Sequence, residues 1–128
     1  MQAYLDRSDG WVFLPNSLTS APATVVQLTL PAGRYALDFT GRVYAPAPAS
    51  RAIDCYFQLD GNAFQMTVVK VGQAADASEE QVLAMTDAQT LEKESRVSVA
   101  CEQREGGDSR WVLDARLRAL TVSAIEQQ

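Results

Sequence analysis

Apolar and polar residues alternate between residues 23 and 44, where nearly every second side chain is hydrophobic. The apolar positions are Val26, Leu28, Leu30, Tyr35, Leu37, Phe39 and Val43. A period of two is typical of strands with one buried face. Pro31 and Gly33 lie between the two runs, where proline presets one backbone angle and glycine accepts a positive φ. The pattern therefore predicts a strand, a turn and a second strand.

The same alternation predicts strands on both sides of this stretch. They cover residues 10–14, 51–59, 64–71, 81–86, 96–102 and 110–125. Residues 60–62 predict a turn between two of these strands, and residues 106–108 predict a hairpin turn before the last one. The apolar phase of the last strand changes after Leu117, which predicts a bulge near Arg118 or Ala119, or a strand that changes sheets.

The segment between residues 72 and 95 has two interpretations. Ser78 and Gln81 resemble a helix capping box, and the apolar residues that follow are compatible with the start of a helix. No apolar stripe at helical spacing continues beyond Met85. We therefore expect an acidic loop at residues 73–80, then a short strand, then a further edge or bend.

The number and spacing of these strands predict the fold class. About eight short strands and no clear helix indicate an all-β protein. The architecture we expect is an antiparallel two-sheet β-sandwich, a jelly roll, because it leaves few strand edges exposed. At 128 residues the chain is long enough for one sizeable core. We expect a single jelly-roll domain over residues 10–128, preceded by an N-terminal arm over residues 1–9.

Composition and charge narrow the classes of partner. Hydrophobic residues make up 47% of the chain and charged residues 21%, as in ordinary globular proteins. The net charge of −5, without a basic run, argues against a nucleic-acid partner. No run reaches the roughly 18 apolar residues of a membrane span. Because the amino terminus carries charges where a signal peptide needs its apolar core, we expect cytoplasmic synthesis and no membrane partner.

Catalytic chemistry has few candidate residues. The chain contains no histidine, which removes the commonest general base and metal ligand. Two widely spaced cysteines do not make a zinc site. A carboxylate pair for glycoside hydrolysis and a calcium site from Asp60, Asn62 and Asp108 are alternatives. Most acidic residues fall on solvent-facing positions or in turns, so we expect surface charges, no metal, no cofactor and no enzymatic activity.

The two cysteines lie in separate apolar alternations. Cys55 is in phase with Ile53 and Phe57, and Cys101 is in phase with Val97 and Val99. Both are therefore expected to point into the core. A disulfide between them and a pair of buried free thiols remain alternatives, because the sequence does not give the geometry that a bridge requires.

Several residues are candidates for an interaction surface. Residues 1–9 carry Tyr4 and Leu5, and Trp11 follows; such a segment suits a docking arm, with a frayed terminus as the alternative. The outward phases of two strands present Tyr44 and Tyr56, which suit a contact patch or a sugar-binding platform.

A row of arginines is predicted on the outward phase of the last strand. It consists of Arg110, Arg116 and Arg118. These residues either protect a surface strand against edge pairing or dock an acidic partner surface.

The chain also resembles a known class of module. The stretches that carry the resemblance are LTLPAGRYALDFTGRVY, IDCYFQL and VSVACEQ with their cysteines, and the closing LDARLRALTV. They resemble compact jelly-roll modules of the tumour-necrosis-factor-like and C1q-like class in bacterial and phage proteins. The resemblance implies trimeric heads, fibre tips and capsid-decorating proteins, such as phage cement proteins, and it brings no catalytic residue with it.

Two functions follow as expectations. The first is a virion structural protein made in the cytoplasm, a cement or decoration subunit on the capsid surface that forms dimers or trimers and binds capsid or fibre subunits. The alternative is a carbohydrate- or receptor-binding head module of a phage tail fibre or a bacterial surface protein. The aromatic residues motivate this alternative, because sugar faces stack on exposed rings.

Overall fold

The computed structural model describes residues 2–13, 23–45, 51–71, 79–103 and 111–122, and all statements below concern these residues. Within them the chain forms eight strands and no helix. The strands are β1 (Ala3–Phe13), β2 (Ala23–Leu30), β3 (Gly33–Ala45), β4 (Arg51–Leu59), β5 (Asn62–Val71), β6 (Glu79–Leu91), β7 (Ser95–Gln103) and β8 (Trp111–Thr121). A helix of the length and hydrophobicity that a membrane crossing requires is therefore not found in this part of the chain.

The strands form two four-stranded antiparallel sheets. Sheet 1 has the order β1-β8-β3-β6, and sheet 2 has the order β2-β7-β4-β5. Most sequential strands therefore lie in opposite sheets, and β4 with β5 is the one hairpin among the described strands. This order is that of an eight-stranded jelly roll. The predicted fold class is confirmed.

The core lies between the two sheets and follows the predicted alternation. In β3 the buried residues are every second one, and Phe39 in the middle of that strand is opposite Met85 of β6 and Leu117 of β8. In sheet 2 the ring of Phe57 stacks on that of Phe64 with centroids 5.7 Å apart. Inward side chains from both sheets thus fill one continuous core.

Strand β1 begins at Ala3, well before the predicted start at residue 10. Most of the segment predicted as an arm is hydrogen-bonded to β8, with Tyr4 opposite Ala119 and Ser8 opposite Ala115. Its inward residues Tyr4, Asp6 and Ser8 are largely polar, so the segment has no apolar alternation to reveal it. Pairing with one neighbour is enough for an edge strand, and it does not depend on side-chain hydrophobicity.

Strand β6 is also longer than predicted. The expected short strand at residues 81–86 and the bend after it are one strand that continues to Leu91, paired with β3 throughout. The inward phase contains Leu83 and Met85 but continues with Asp87 and Gln89, which are only half-buried. These polar residues interrupt the apolar pattern although the backbone remains extended. Residues 73–78 of the predicted acidic loop lie outside the described residues.

Two predicted turns connect different sheets. Residues 31–33 lead from β2 in sheet 2 to β3 in sheet 1, and Gly33 has a φ of 154° that disfavours other residues. The prediction of a hairpin at residues 106–108 is wrong, because β7 and β8 lie in different sheets. The turn itself lies outside the described residues.

The predicted turn at residues 60–62 does form a hairpin within sheet 2. It has positive φ at Asp60 and Gly61, as in a type I′ turn.

The bulge in the last strand occurs at a different place from the predicted one. Leu117 and Ala119 both point inward, so the phase is continuous around Arg118. The irregularity lies at Asp114, which has a φ of 49° and falls where the pairing of β8 with β3 shifts register beside Gly41. A bulge increases the local twist of the sheet and here directs Asp114 to the solvent face.

A disulfide joins Cys55 of β4 to Cys101 of β7. The two residues are directly opposite each other in the ladder, with Cα atoms 4.1 Å apart, and both are fully buried. Of the two alternatives that the sequence left open, the structure therefore contains the bridge. It links neighbouring strands in the middle of sheet 2.

Candidate functional site

The outward side of sheet 1 carries an excess of arginine, and we call the outward side chains of β1, β8 and β3 the arginine face. Its described charged residues are Arg7, Arg34, Arg42, Arg116, Arg118, Asp38 and Asp114. Five arginines against two aspartates leave three positive charges in excess on a chain whose net charge is −5. The other described side chains include seven acidic and two basic residues, which leave five negative charges in excess.

Two of these arginines are paired with aspartates on the same face. Arg118 Nη2 lies 3.0 Å from Asp38 Oδ2, and Arg42 Nη2 contacts Asp114 Oδ2. The four side chains are between 36% and 58% exposed. Exposed pairs of this kind contribute about 1 kcal/mol or less to stability, so their main effect is to orient the side chains.

Arg7 and Arg116 have a different arrangement. They are directly opposite each other on β1 and β8, both are exposed, and both point outward. Neither has a carboxylate partner among the described residues. Like charges directly opposite each other in an antiparallel ladder destabilise a sheet, whereas an anionic group placed between them would be attracted by both.

Two depressions flank Arg116 on this face. One, of about 350 Å³, is lined by Leu5, Asp38, Thr40, Arg116 and Arg118. The other, of about 290 Å³, is lined by Arg7, Ser8, Asp114, Ala115 and Arg116. Leu5 is 50% exposed beside them. The arginine face thus combines two guanidinium groups without a carboxylate partner in the described part of the chain, an exposed apolar side chain and concave surface.

The topology decides between the two interpretations of the predicted arginine row. Strand β8 lies between β1 and β3, so Arg116 and Arg118 are not on an edge. Protection of a strand edge is therefore wrong as an explanation for these two residues. Arg110, the third member of the row, lies outside the described residues.

The predicted anchor residues of the amino-terminal segment separate into two groups. Tyr4 points inward, where its ring meets that of Tyr35 edge-on with centroids 6.0 Å apart and its hydroxyl donates to Gln2 Oε1. Tyr4 is therefore half-buried and packs within its own chain. Leu5 points outward and belongs to the arginine face. Trp11 is paired with Leu113 through its backbone, and its side chain lies outside the described part.

The two outward tyrosines lie on opposite sides of the sandwich. Tyr44 is on β3 in sheet 1, whereas Tyr56 is on β4 in sheet 2. They do not form one patch or one sugar platform. Each of them is only half-buried.

Tyr56 forms a polar cluster with acidic neighbours on sheet 2. Its hydroxyl donates to Glu102 Oε1 at 2.6 Å, and Glu102 is opposite Asp54 in the ladder. Burial, then the hydrogen bond to Glu102, then the negative charges of Glu102 and Asp54 raise the pKa of Tyr56 well above its ordinary value. A neutral tyrosine that donates to a carboxylate is a structural contact.

The raised pKa of Tyr56 leads to a pH prediction. Because the folded state holds this proton more tightly than the unfolded chain, the resulting stability is fully present below about pH 10 and is lost as the pH rises through the folded-state pKa. We expect Tyr56→Phe to reduce the loss of unfolding free energy at alkaline pH. Denaturant unfolding at several alkaline pH values measures this, with tyrosinate absorbance as a second readout.

Tyr35 accounts for part of the loss of stability at alkaline pH that remains in the Tyr56→Phe variant. Its pKa is raised mainly by burial and secondly by the nearby Tyr4, and Tyr35 is unchanged in the variant. If the slope of stability against pH is the same in Tyr56→Phe and in the wild type, the assigned role of the Glu102 contact is wrong.

The described residues do not support a metal site. They contain no group of three or more acidic or cysteine side chains placed to hold an ion. Asp60, one of the three predicted calcium ligands, instead receives a hydrogen bond from the backbone N–H of Arg96 on its carboxylate. Asp108 lies outside the described residues. A separate depression of about 490 Å³ adjoins the β6–β7 turn; Asp60 is part of its lining, and the residues predicted for an interaction surface are not.

The sequence did not identify Arg7 as a site residue. It stands in a polar segment that was predicted as an arm, and only the register of β1 against β8 brings it opposite Arg116. The presence of a basic residue in an extended segment is enough to identify Arg7, but it does not show that Arg116 lies opposite.

The fold defines the class of protein as an eight-stranded jelly roll. No known protein-family model matches the chain, and no curated protein matches it in sequence. Solved structures do share the fold. A chain from the T13 particle of infectious bursal disease virus (IBDV) has a TM-score of 0.64 at 8% identity, covering 94% of this chain and 31% of its own.

Two further structures give the same result. The IBDV VP2 subviral particle has a TM-score of 0.62 at 11% identity, with 92% of this chain and 32% of that chain covered. The Eiger TNF from S. frugiperda has a TM-score of 0.54 at 10% identity, with 94% and 93% covered. The chain spans about a third of the length of the viral chains that it matches. At these identities the similarity shows a common fold.

Proposed function

We propose that this protein is a non-enzymatic structural subunit of a virion, a cement or decoration protein that self-associates and docks on shell subunits at the capsid surface. The jelly roll that it shares with chains of viral particles supports this proposal. Its partners are protein surfaces, and its mechanism is contact between surfaces repeated across a lattice.

The observation that carries the proposal is the arginine face. Arginine is enriched among residues that dominate binding energy at protein interfaces, and Arg7 with Arg116 has no carboxylate within the described part of its own chain. The exposed Leu5 beside them provides apolar contact area. A surface with opposed like charges costs some stability in isolation, and this cost is offset when a partner supplies anionic groups.

The first test is the oligomeric state of the purified chain. We expect light scattering coupled to size-exclusion chromatography to give a mass of two or more subunits at micromolar concentration, because lattice proteins of this kind act through repeated contacts. A strict monomer up to about 100-fold higher concentration contradicts the proposal.

Surface substitutions are a better probe than truncation. Deleting residues 1–9 would remove most of the pairing between β1 and β8 together with the Tyr4–Tyr35 contact. A loss of association in that variant would then reflect a damaged sheet. Outward residues of the same strands, such as Leu5, can be changed without touching the core.

A further inference from the structure

We propose that the arginine face binds a carboxylate-bearing surface of a second copy of this chain, so that the interface is heterologous. This inference rests on the proposed function and names the surface through which self-association occurs. The partner is the acidic part of another subunit, and the centre of the interface is the opposed pair Arg7 and Arg116.

Complementary charges favour a second copy of this chain as the partner of the arginine face. Among the described side chains, the arginine face has three positive charges in excess and the others have five negative charges in excess. Each copy therefore brings both halves of an electrostatically complementary pair. Such complementarity steers association and fixes which surfaces meet.

The positive charge of the arginine face also determines the type of interface. A two-fold arrangement that set one arginine face against another would bring Arg7 and Arg116 of both copies together. Asp38 and Asp114 on the same face are already engaged by Arg118 and Arg42, so they do not relieve that repulsion. The face must then meet a different surface of its neighbour. Such a contact closes into a ring or continues as an open array.

The position of the two arginines on the sheet suits this role. Strands β1 and β8 are held in register on either side of Arg7 and Arg116, and Arg116 is also opposite Thr40 of β3. The guanidinium groups therefore rise from a backbone fixed by ladder hydrogen bonds on both sides of β8. A depression on each side of Arg116 gives carboxylate side chains room to approach. Guanidinium groups bind carboxylates with two parallel hydrogen bonds.

The test is the double charge reversal Arg7→Glu with Arg116→Glu. We expect it to weaken self-association at least about tenfold, measured by analytical ultracentrifugation, and to leave far-ultraviolet dichroism unchanged. The matched control is Lys93→Glu with Arg96→Glu, which makes the same change in net charge at exposed residues outside the arginine face. The control should associate at least as tightly as the wild type, because its added negative charges lie on the acidic part of the chain and not on the arginine face.

A mixing experiment distinguishes a heterologous interface from a two-fold one. The double variant loses its arginine face but keeps its acidic surface, so an excess of it should cap wild-type assemblies and lower their mean mass. Wild-type assembly should also weaken as the salt concentration rises. Unchanged association of the double variant, or no capping, overturns the inference while the proposed structural function stands.

Two other outcomes have separate meanings. A wild-type chain that is monomeric under all conditions overturns the proposed function and the inference with it. A monomeric wild-type chain that binds heparin, with binding lost in the double variant, assigns the arginine face to an acidic polysaccharide and overturns the second-copy proposal.

Discussion

Replacement of both cysteines by alanine is expected to lower the free energy of unfolding by about 4 kcal/mol. The bridge between Cys55 and Cys101 spans a sequence separation of 46 residues, and in the chain-entropy account a loop of that length removes about this much freedom from the unfolded chain. Guanidinium unfolding followed by tryptophan fluorescence measures the change. Since a small domain has only about 5–15 kcal/mol of stability, the variant is expected to be markedly less stable.

The reduced wild-type protein is the control for this prediction. Because the bridge is fully buried, it should be reduced in denaturant before refolding. Reduced wild type and the double variant should then unfold at similar denaturant concentrations. If oxidised wild type and the variant unfold together, the disulfide does not contribute to stability as described.

Phe39→Ala is expected to cost about 3–5 kcal/mol. Phe39 is fully buried in the middle of β3, with Met85 and Leu117 opposite it in the two neighbouring strands. Truncation removes apolar contacts and leaves a cavity between strands that the ladder holds in place, so the neighbours can only partly fill it. Thermal and denaturant unfolding measure the loss.

The next residue along the same strand is the matched control. Thr40 is exposed on the opposite side of sheet 1, so Thr40→Ala should change stability by about 0.5 kcal/mol or less. Similar costs for the two substitutions would contradict the assignment of inward and outward faces in β3.

The inward and outward phases of β3, β4 and β7 agree with the predictions from the sequence, whereas the bulge at Asp114 changes the phase of β8. Leu37, Phe39 and Val43 were placed on one face, and Cys55 and Cys101 were both placed in the core. This succeeds because successive side chains of an extended chain point to opposite sides wherever the strand lies in the fold. A local pattern is therefore enough to identify the buried face.

The edge strands were predicted less well. Strand β1 has no apolar alternation, because its inward residues are the polar or amphipathic Tyr4, Asp6 and Ser8. The second half of β6 has none either, because its inward phase contains Asp87 and Gln89. An edge strand pairs on one side only, and its outer part borders solvent between the sheets. It therefore tolerates polar inward residues that a central strand would not tolerate. The alternation of apolar and polar residues is then lost from the sequence.

The arginine face was only partly predicted. Arg116 and Arg118 were placed on the outward phase of the last strand, but their edge-protection alternative required β8 to be an edge. Arg7 was hidden in the segment predicted as an arm. Which strand is adjacent to which depends on contacts between residues more than 100 positions apart, and no local pattern reports them.

The alternation along the chain is sufficient to predict an all-β sandwich and the buried side chains of β3, β4 and β7, because the period of two is a property of each strand alone. The tertiary structure decided the order of strands in the two sheets, the meeting of Cys55 with Cys101 and the opposition of Arg7 to Arg116. Those neighbours are set by register between distant segments, which depends on the packing of the whole core. The candidate interaction surface is a consequence of that register.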